Sequence, residues 1–223
     1  MARNKHPEET VKRILEVSFR LFRVKGYEHT TIQDIVDALG MSKGAIYHHF
    51  KSKEDIYDHI TDLYYDRQDW LRDPVQFPGK TGRDKISGLL VFLLSDPEKL
   101  NLDQISTTVS LNPKLLALAL ESTIRDAAPC LETLIHLGNA DGSLHVEQPK
   151  EAAEAFMILM NMWIGAFATT MEDFTEKLRL LQAFSDGLGM PVIDERLLET
   201  ARRYYNTVMA FQISRISQET AAP

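Results

Sequence analysis

Apolar residues recur at three- and four-residue intervals along almost the whole chain, and no convincing two-residue alternation interrupts them. Between residues 7 and 25, Val11, Ile14, Leu15, Ser18 and Phe22 share one stripe, which predicts a first helix stopped by Gly26. Thr31 with Asp34 forms a capping box, and Ile32, Ile35, Val36 and Leu39 give the apolar face of a second helix ended by Gly40. Ser42 caps a third helix over 43–49. Ser52, with Asp55 behind it, caps a fourth that the pattern carries to about Arg72. Two short helices joined by a glycine-bearing turn are the helix-turn-helix layout.

A link bearing Pro and Gly, 73–82, leads to helices predicted at about 83–95, 98–109, 113–137, 149–171, 174–188 and 192–216. Pro129 must kink or split the helix over 113–137, because it has no N–H for the helical ladder. Helix 149–171 is apolar all round, with Asn161 as the polar residue at its middle. Helix 192–216 adds another broad apolar stripe, and a chain of 223 residues has limited core in which to hide both. The expected solution is a two-fold four-helix bundle between two copies of the chain. Its interface would hold Phe156, Leu159, Trp163 and Phe167 from one helix, and Ala201, Tyr204, Val208 and Phe211 from the other. The alternative is a core within one chain. The pattern predicts an all-α fold in which a three-helix head, 1–55, is joined by helix 4 to a larger helical body, 56–223.

Composition changes this picture little. An apolar fraction of 44% and a charged fraction of 26% are those of an ordinary globular protein. The N-terminus is polar and lacks the apolar stretch of a secretory signal. The longest apolar-rich run, 155–168, is shorter than the roughly 20 residues a membrane-spanning helix needs. The single cysteine, Cys130, rules out an internal disulfide and suits a reducing compartment, so a cytoplasmic location is expected.

The net charge of −7 argues against bulk nucleic-acid binding, but it is unevenly spread. Residues 1–55 hold ten Lys/Arg against eight Asp/Glu and four of the seven histidines, whereas the rest holds fifteen against twenty-four. A mildly basic head on an acidic body suits a small DNA-reading module.

Candidate chemistry concentrates in GMSKGAIYHHFKSKEDI, residues 40–56. Neighbouring histidines point about 100° apart on a helix, so His48 and His49 are badly placed to share a metal ion, and no cofactor or metal is expected. Another reading absorbs more residues. Ser42, Lys43, Gly44 and Ala45 make a small, cationic opening turn, suited to entering a major groove about 12 Å wide. Gly44 costs helix stability, which suggests that close approach matters more there. Lys43, Gly44 and Ala45 are the candidate base-edge contacts. Thr31, Tyr47, His48 and Lys53 are the candidate phosphate contacts, and Ile46 and Phe50 are expected to point inward.

The run FRVKGYEHTTIQDIVDALGMSKGAIYHHFKSKEDIY, residues 22–57, resembles the N-terminal module of the tetracycline-repressor (TetR) family of transcriptional regulators. The likeness is carried by Phe22, Gly26-Tyr27, Thr30-Thr31, Ile35, Leu39-Gly40, Ser42-Lys43-Gly44, Ile46-Tyr47, Phe50 and Lys53-Glu54, and it covers about a quarter of the chain. It implies a homodimer that binds a palindromic DNA operator and releases it when a small molecule occupies the body. Trp70, Phe92, Leu120 and Met157 are candidate ligand-contacting residues, although such residues are more often plain core than pocket. Asn161 is expected either to meet the ligand or to make a structural hydrogen bond. The acidic stripe Asp58, Asp62, Asp66 and Asp69 reads as a solvated face rather than a cation site. No phosphate loop, nucleophile elbow or zinc signature points to an enzyme. The competing class is a ligand-binding or interaction protein, or a helical enzyme, that keeps the module without regulating an operator.

Overall fold

The computed structural model describes residues 7–109 and 112–221, and every regular element among them is helical. The order is α1 (Pro7–Lys25), α2 (Ile32–Leu39), α3 (Lys43–His49), α4 (Lys53–Tyr65), α5 (Asp69–Arg72), α6 (Gly82–Ser95) and α7 (Pro97–Val109). There follow α8 (Pro113–Ser122), α9 (Ala128–Asp141), α10 (Pro149–Ile158), α11 (Met171–Gly187) and α12 (Glu195–Ala221). None of the described helices is long and apolar enough to cross a membrane.

Two departures from the predicted helices have local causes. α4 stops at Tyr65 rather than running on to Arg72. Arg67 Nε and Gln68 Nε2 fold back to donate to the carbonyls of Leu63 and Tyr64, at 2.7 and 3.3 Å, and so occupy acceptors at the helix end. Asp69 therefore opens α5 and leaves the acidic face of α4.

The helix containing Pro129 is split as expected, but by a widened π turn over Thr123–Ala127, where Ala128 N–H reaches back to Thr123 O. A second π segment, Leu159–Ala166, continues α10. Asn161 lies on it, and its Nδ2 donates to Thr123 Oγ1 at 3.3 Å, so a hydrogen bond joins the two segments.

Two apolar cores organise the chain. The first gathers Ile14, Phe22, Tyr27, Ile35, Ile46, Phe50, Ile56 and Tyr64 from α1–α4 and their links, and it also takes in Leu102 and Ile105 of α7 and Leu115 of α8. The second fills the body with residues that include Ile86, Leu134, Ile135, Phe156, Leu181, Met190 and Leu197. Cys130 lies in it, its Sγ 4.0 Å from Trp70 O, and burial pushes its thiol up to about 11. The group stays protonated and unreactive at neutral pH.

α6 and α9 meet backbone to backbone. A Cβ placed on Gly82 would lie 2.2 Å from Gly138 N, and Gly82 N–H donates to the Asp141 carboxylate at 2.7 Å.

The body also corrects the expected dimer surface. Phe156, Ala201 and Val208 are 0%, 2% and 3% exposed within one chain, so they have no surface to offer a second copy. α6 and α9 supply an intramolecular core large enough to hide them, and a helical stripe does not reveal which partner will cover it. Tyr204 is likewise engaged inside the chain, where its hydroxyl donates to Asp103 Oδ2 at 2.8 Å. Leu159, Trp163 and Phe211 stay partly exposed, and Phe167 is 49% exposed.

Candidate nucleic-acid interface

The head is assembled from three consecutive caps. Thr31 Oγ1 accepts from Asp34 N–H at 3.1 Å while Asp34 Oδ2 accepts from Thr31 N–H at 2.7 Å, which completes the capping box of α2. Lys25 Nζ donates to the other Asp34 oxygen at 2.6 Å, and these partners, Lys25 first, hold the Asp34 carboxyl well below the usual carboxylate range. Gly40 ends α2 in the left-handed region at φ 63°, where a side chain would be strained. Met41 N–H then returns to Val36 O, and Ser42 Oγ accepts from Ala45 N–H at 3.2 Å to start α3. Ser52 starts α4 in the same way, accepting from Asp55 N–H. These signals lie within four residues of each junction, which is why the sequence displays them.

α3 is fixed by what it buries. Ile46 and Phe50 are 0% and 2% exposed, sunk among Phe22, Tyr27 and Ile35, as the sequence leads one to expect. With those two pointing in, Ser42, Lys43, Gly44, Tyr47 and His48 are left exposed on the outer side, with Ala45 partly so. Residues 43, 44, 47 and 48 follow the i, i+1, i+4, i+5 pattern of a single face. The Lys43 ammonium lies 6.0 Å from the centre of the Tyr47 ring. A Cβ on Gly44 would touch nothing within 4 Å, so no neighbour inside the chain demands glycine there.

Two candidate phosphate contacts already have partners. The Thr31 hydroxyl donates to Asp34 Oδ2 at 2.6 Å, so it must turn before donating elsewhere. Lys53 Nζ donates to Tyr27 O at 2.6 Å and sits 4.1 Å from the centre of the Tyr27 ring. Burial lowers its ammonium below the usual lysine range. Lys53 therefore pins α4 to the end of α1, a structural duty that spacing alone did not reveal. His49 is partly buried, its ring 5.0 Å from that of His48.

The candidate ligand residues are spread over the body. The Trp70 indole N–H donates to Gln68 Oε1 at 3.0 Å, and Phe92 meets Phe77 edge-on at 5.9 Å. Met157 stays partly exposed at the edge of the second core, and Leu120 is 38% exposed. Asn161 makes the hydrogen bond to Thr123 already described. On α4, burial raises the Asp62 carboxyl, helped by the charges of Asp58, Asp66 and Asp126. Among the described residues, no three His, Cys, Asp or Glu side chains converge as metal ligands would.

The model of "Bacterial regulatory proteins, tetR family" matches residues 14–60, the stretch just described. The HTH-type transcriptional regulator YerO of Bacillus subtilis is 56% identical over 46 residues, which are 21% of this chain and 16% of YerO. AcrR of Shigella flexneri, another HTH-type transcriptional regulator, is 43% identical over 56 residues, or 25% of this chain and 26% of AcrR. The stretches aligned with these two relatives thus span about a quarter or less of each one's length. The fold extends further: Salmonella enterica GusR superposes with a TM-score of 0.56 over 97% of this chain and 98% of its own, at 20% identity. Residues 14–60 thus match the tetR family of bacterial regulatory proteins, and the helical body behind them shares its fold with GusR.

Proposed function

We propose that this chain is a ligand-responsive DNA-binding transcriptional regulator: a cytoplasmic homodimeric repressor that leaves a palindromic operator when a small molecule binds its body. The observation that carries this reading is the outer face of α3. Lys43, Gly44, Tyr47 and His48 lie exposed together, anchored from behind by Ile46 and Phe50. Lys43, Gly44 and Ala45 read base edges, and Tyr47 and His48 hold phosphates. The head over 1–55 serves recognition, and the body over 56–223 serves ligand binding and dimerisation.

A gel shift against DNA upstream of the chain's own gene tests the reading. Tyr47→Phe is expected to weaken binding about fivefold, as the loss of one hydrogen bond of about 1 kcal/mol would. Its unfolding midpoint should stay in place, and an unchanged affinity removes Tyr47 from the interface.

Ligand response follows from linkage. A small molecule that prefers the conformation with splayed heads must lower operator affinity by the same factor by which the operator lowers its own. The paired π segments joined by Asn161 and Thr123 support a ligand locus in the body, since π turns inside helices recur at functional sites.

For the dimer, the apolar surface left on Leu159, Trp163, Phe167 and Phe211 supports an interface shifted toward Phe167. Phe167→Glu is expected to give monomers in analytical ultracentrifugation. A dimer of unchanged strength would place the interface elsewhere.

A further inference from the structure

α4 is not the only link between head and body, because α7 is fastened to both. At its start, Tyr64 OH, from the last turns of α4, donates to Asp96 Oδ2 at 2.5 Å, and Asp96 Oδ1 accepts from Glu98 N–H at 3.0 Å. Arg67 donates to Glu98 Oε1 at 2.6 Å. Further along, Asp103 Oδ2 accepts from Lys99 Nζ at 2.6 Å and from Tyr204 OH of α12 at 2.8 Å. The Tyr65 phenol lies close enough to Lys99 and Asp103 for their charges to act on it. Burial alone would depress the Lys99 ammonium, yet the Asp103 carboxylate holds it well above the usual lysine range.

Beyond this group, Leu102 and Ile105 sink into the core of the head. Arg23 of α1 donates to Gln104 Oε1 at 3.5 Å, and Gln212 of α12 donates to Gln104 O at 3.0 Å. The Arg23 guanidinium also stacks 5.9 Å from the Phe211 ring of α12. Among the described residues, its Nε is buried without a hydrogen-bond partner.

We propose that Asp103, Tyr204 and Arg23 are positioning residues for DNA binding: through α7 they fix the head against α12 and so set the spacing of the two heads in a dimer. This rests on the dimeric DNA-binding reading above. None of the three touches DNA. They act on where α3 points, so their loss alters which half-site spacings are accepted rather than the affinity of one head for one half-site. Two heads held at one separation reject operators whose half-sites are a base pair too close or too far, and loosened heads accept both.

The test uses duplexes selected by the wild-type chain from a random-sequence pool, then remade with the central spacer lengthened or shortened by one base pair. The wild type is expected to prefer its selected spacing. In Tyr204→Phe that preference falls about tenfold, within the usual range of coupling between sites, while binding to a single half-site is unchanged. Asp103→Asn should behave alike. If it fails to fold because Lys99 loses its partner, Tyr204→Phe, which removes one oxygen, still decides the matter. Leu181→Ala, a destabilising change in the body core, leaves the preference intact if spacing is what these residues control. An undiminished spacing preference in Tyr204→Phe overturns the proposal, as does an equal loss in Leu181→Ala. A wild type that selects no duplex, or selects only single half-sites, overturns the dimeric DNA-binding reading first and this proposal with it.

Discussion

Gly44→Leu is expected to abolish operator binding while leaving the head at least as stable as before. Glycine in a helix costs about 0.8–1.0 kcal/mol relative to alanine, and leucine is nearly as good a helix former as alanine. A Cβ at this position meets nothing within 4 Å, so the chain itself gains from the change. A major groove occupied by the opening turn of α3 does not. The isobutyl group would hold the helix away from the bases and phosphates that Lys43, Ala45 and Tyr47 are to contact. Losing two such contacts, at about 1–3 kcal/mol each, weakens binding by about thirtyfold or more. Urea unfolding and a gel shift on the same preparation check both signs. Tight operator binding by Gly44→Leu would mean that α3 does not enter the groove by its N-terminal end.

Gly82→Ala is expected to destabilise the body strongly. Its Cβ would lie 2.2 Å from Gly138 N, 2.4 Å from Gly138 Cα and 2.7 Å from Leu134 O. All three are backbone atoms, so no rotamer can yield. α6 and α9 must move apart, and Ile86, Leu134 and Ile135 would lose contacts as they separate. Overpacking usually costs about 1–3 kcal/mol, and a backbone clash belongs at or above the top of that range. At about 2–4 °C per kcal/mol for a chain of this size, the melting midpoint should fall by about 10 °C. Gly187→Ala serves as the control, because its Cβ meets nothing within 4 Å. Equal midpoints for the two variants would show that the helix crossing is more compliant than its geometry implies.

The contrast between these glycines shows what the chain reveals before its fold is known. Gly44 sits amid its own explanation: a cap two residues before it, and the buried pair Ile46 and Phe50 just after. Helix starts at Thr31, Ser42 and Ser52 were legible for the same reason, since a cap and the N–H it satisfies are three residues apart. Gly82 and Gly138 are far apart in sequence, and nothing near either residue names the other. Tyr204 is a related case. Its stripe announced an apolar face but could not say whether a second copy or α7 would cover it. Pro129 predicted a break, though the π turn that resolves it depends on where Ala128 N–H finds a carbonyl. Lys53 looked like a free cation until the fold brought Tyr27 O beneath it.

The first core reaches well beyond the stretch that the family model matches. Leu102, Ile105 and Leu115 close it from below, all of them past the matched residues 14–60. Heads are therefore not freely exchangeable between relatives of this fold. A hybrid regulator spliced at the end of α4 would set a foreign head on three leucine and isoleucine side chains shaped for this one. Building one that folds means transplanting those three residues together with the recognition helix, so the practical unit of exchange is discontinuous in the gene.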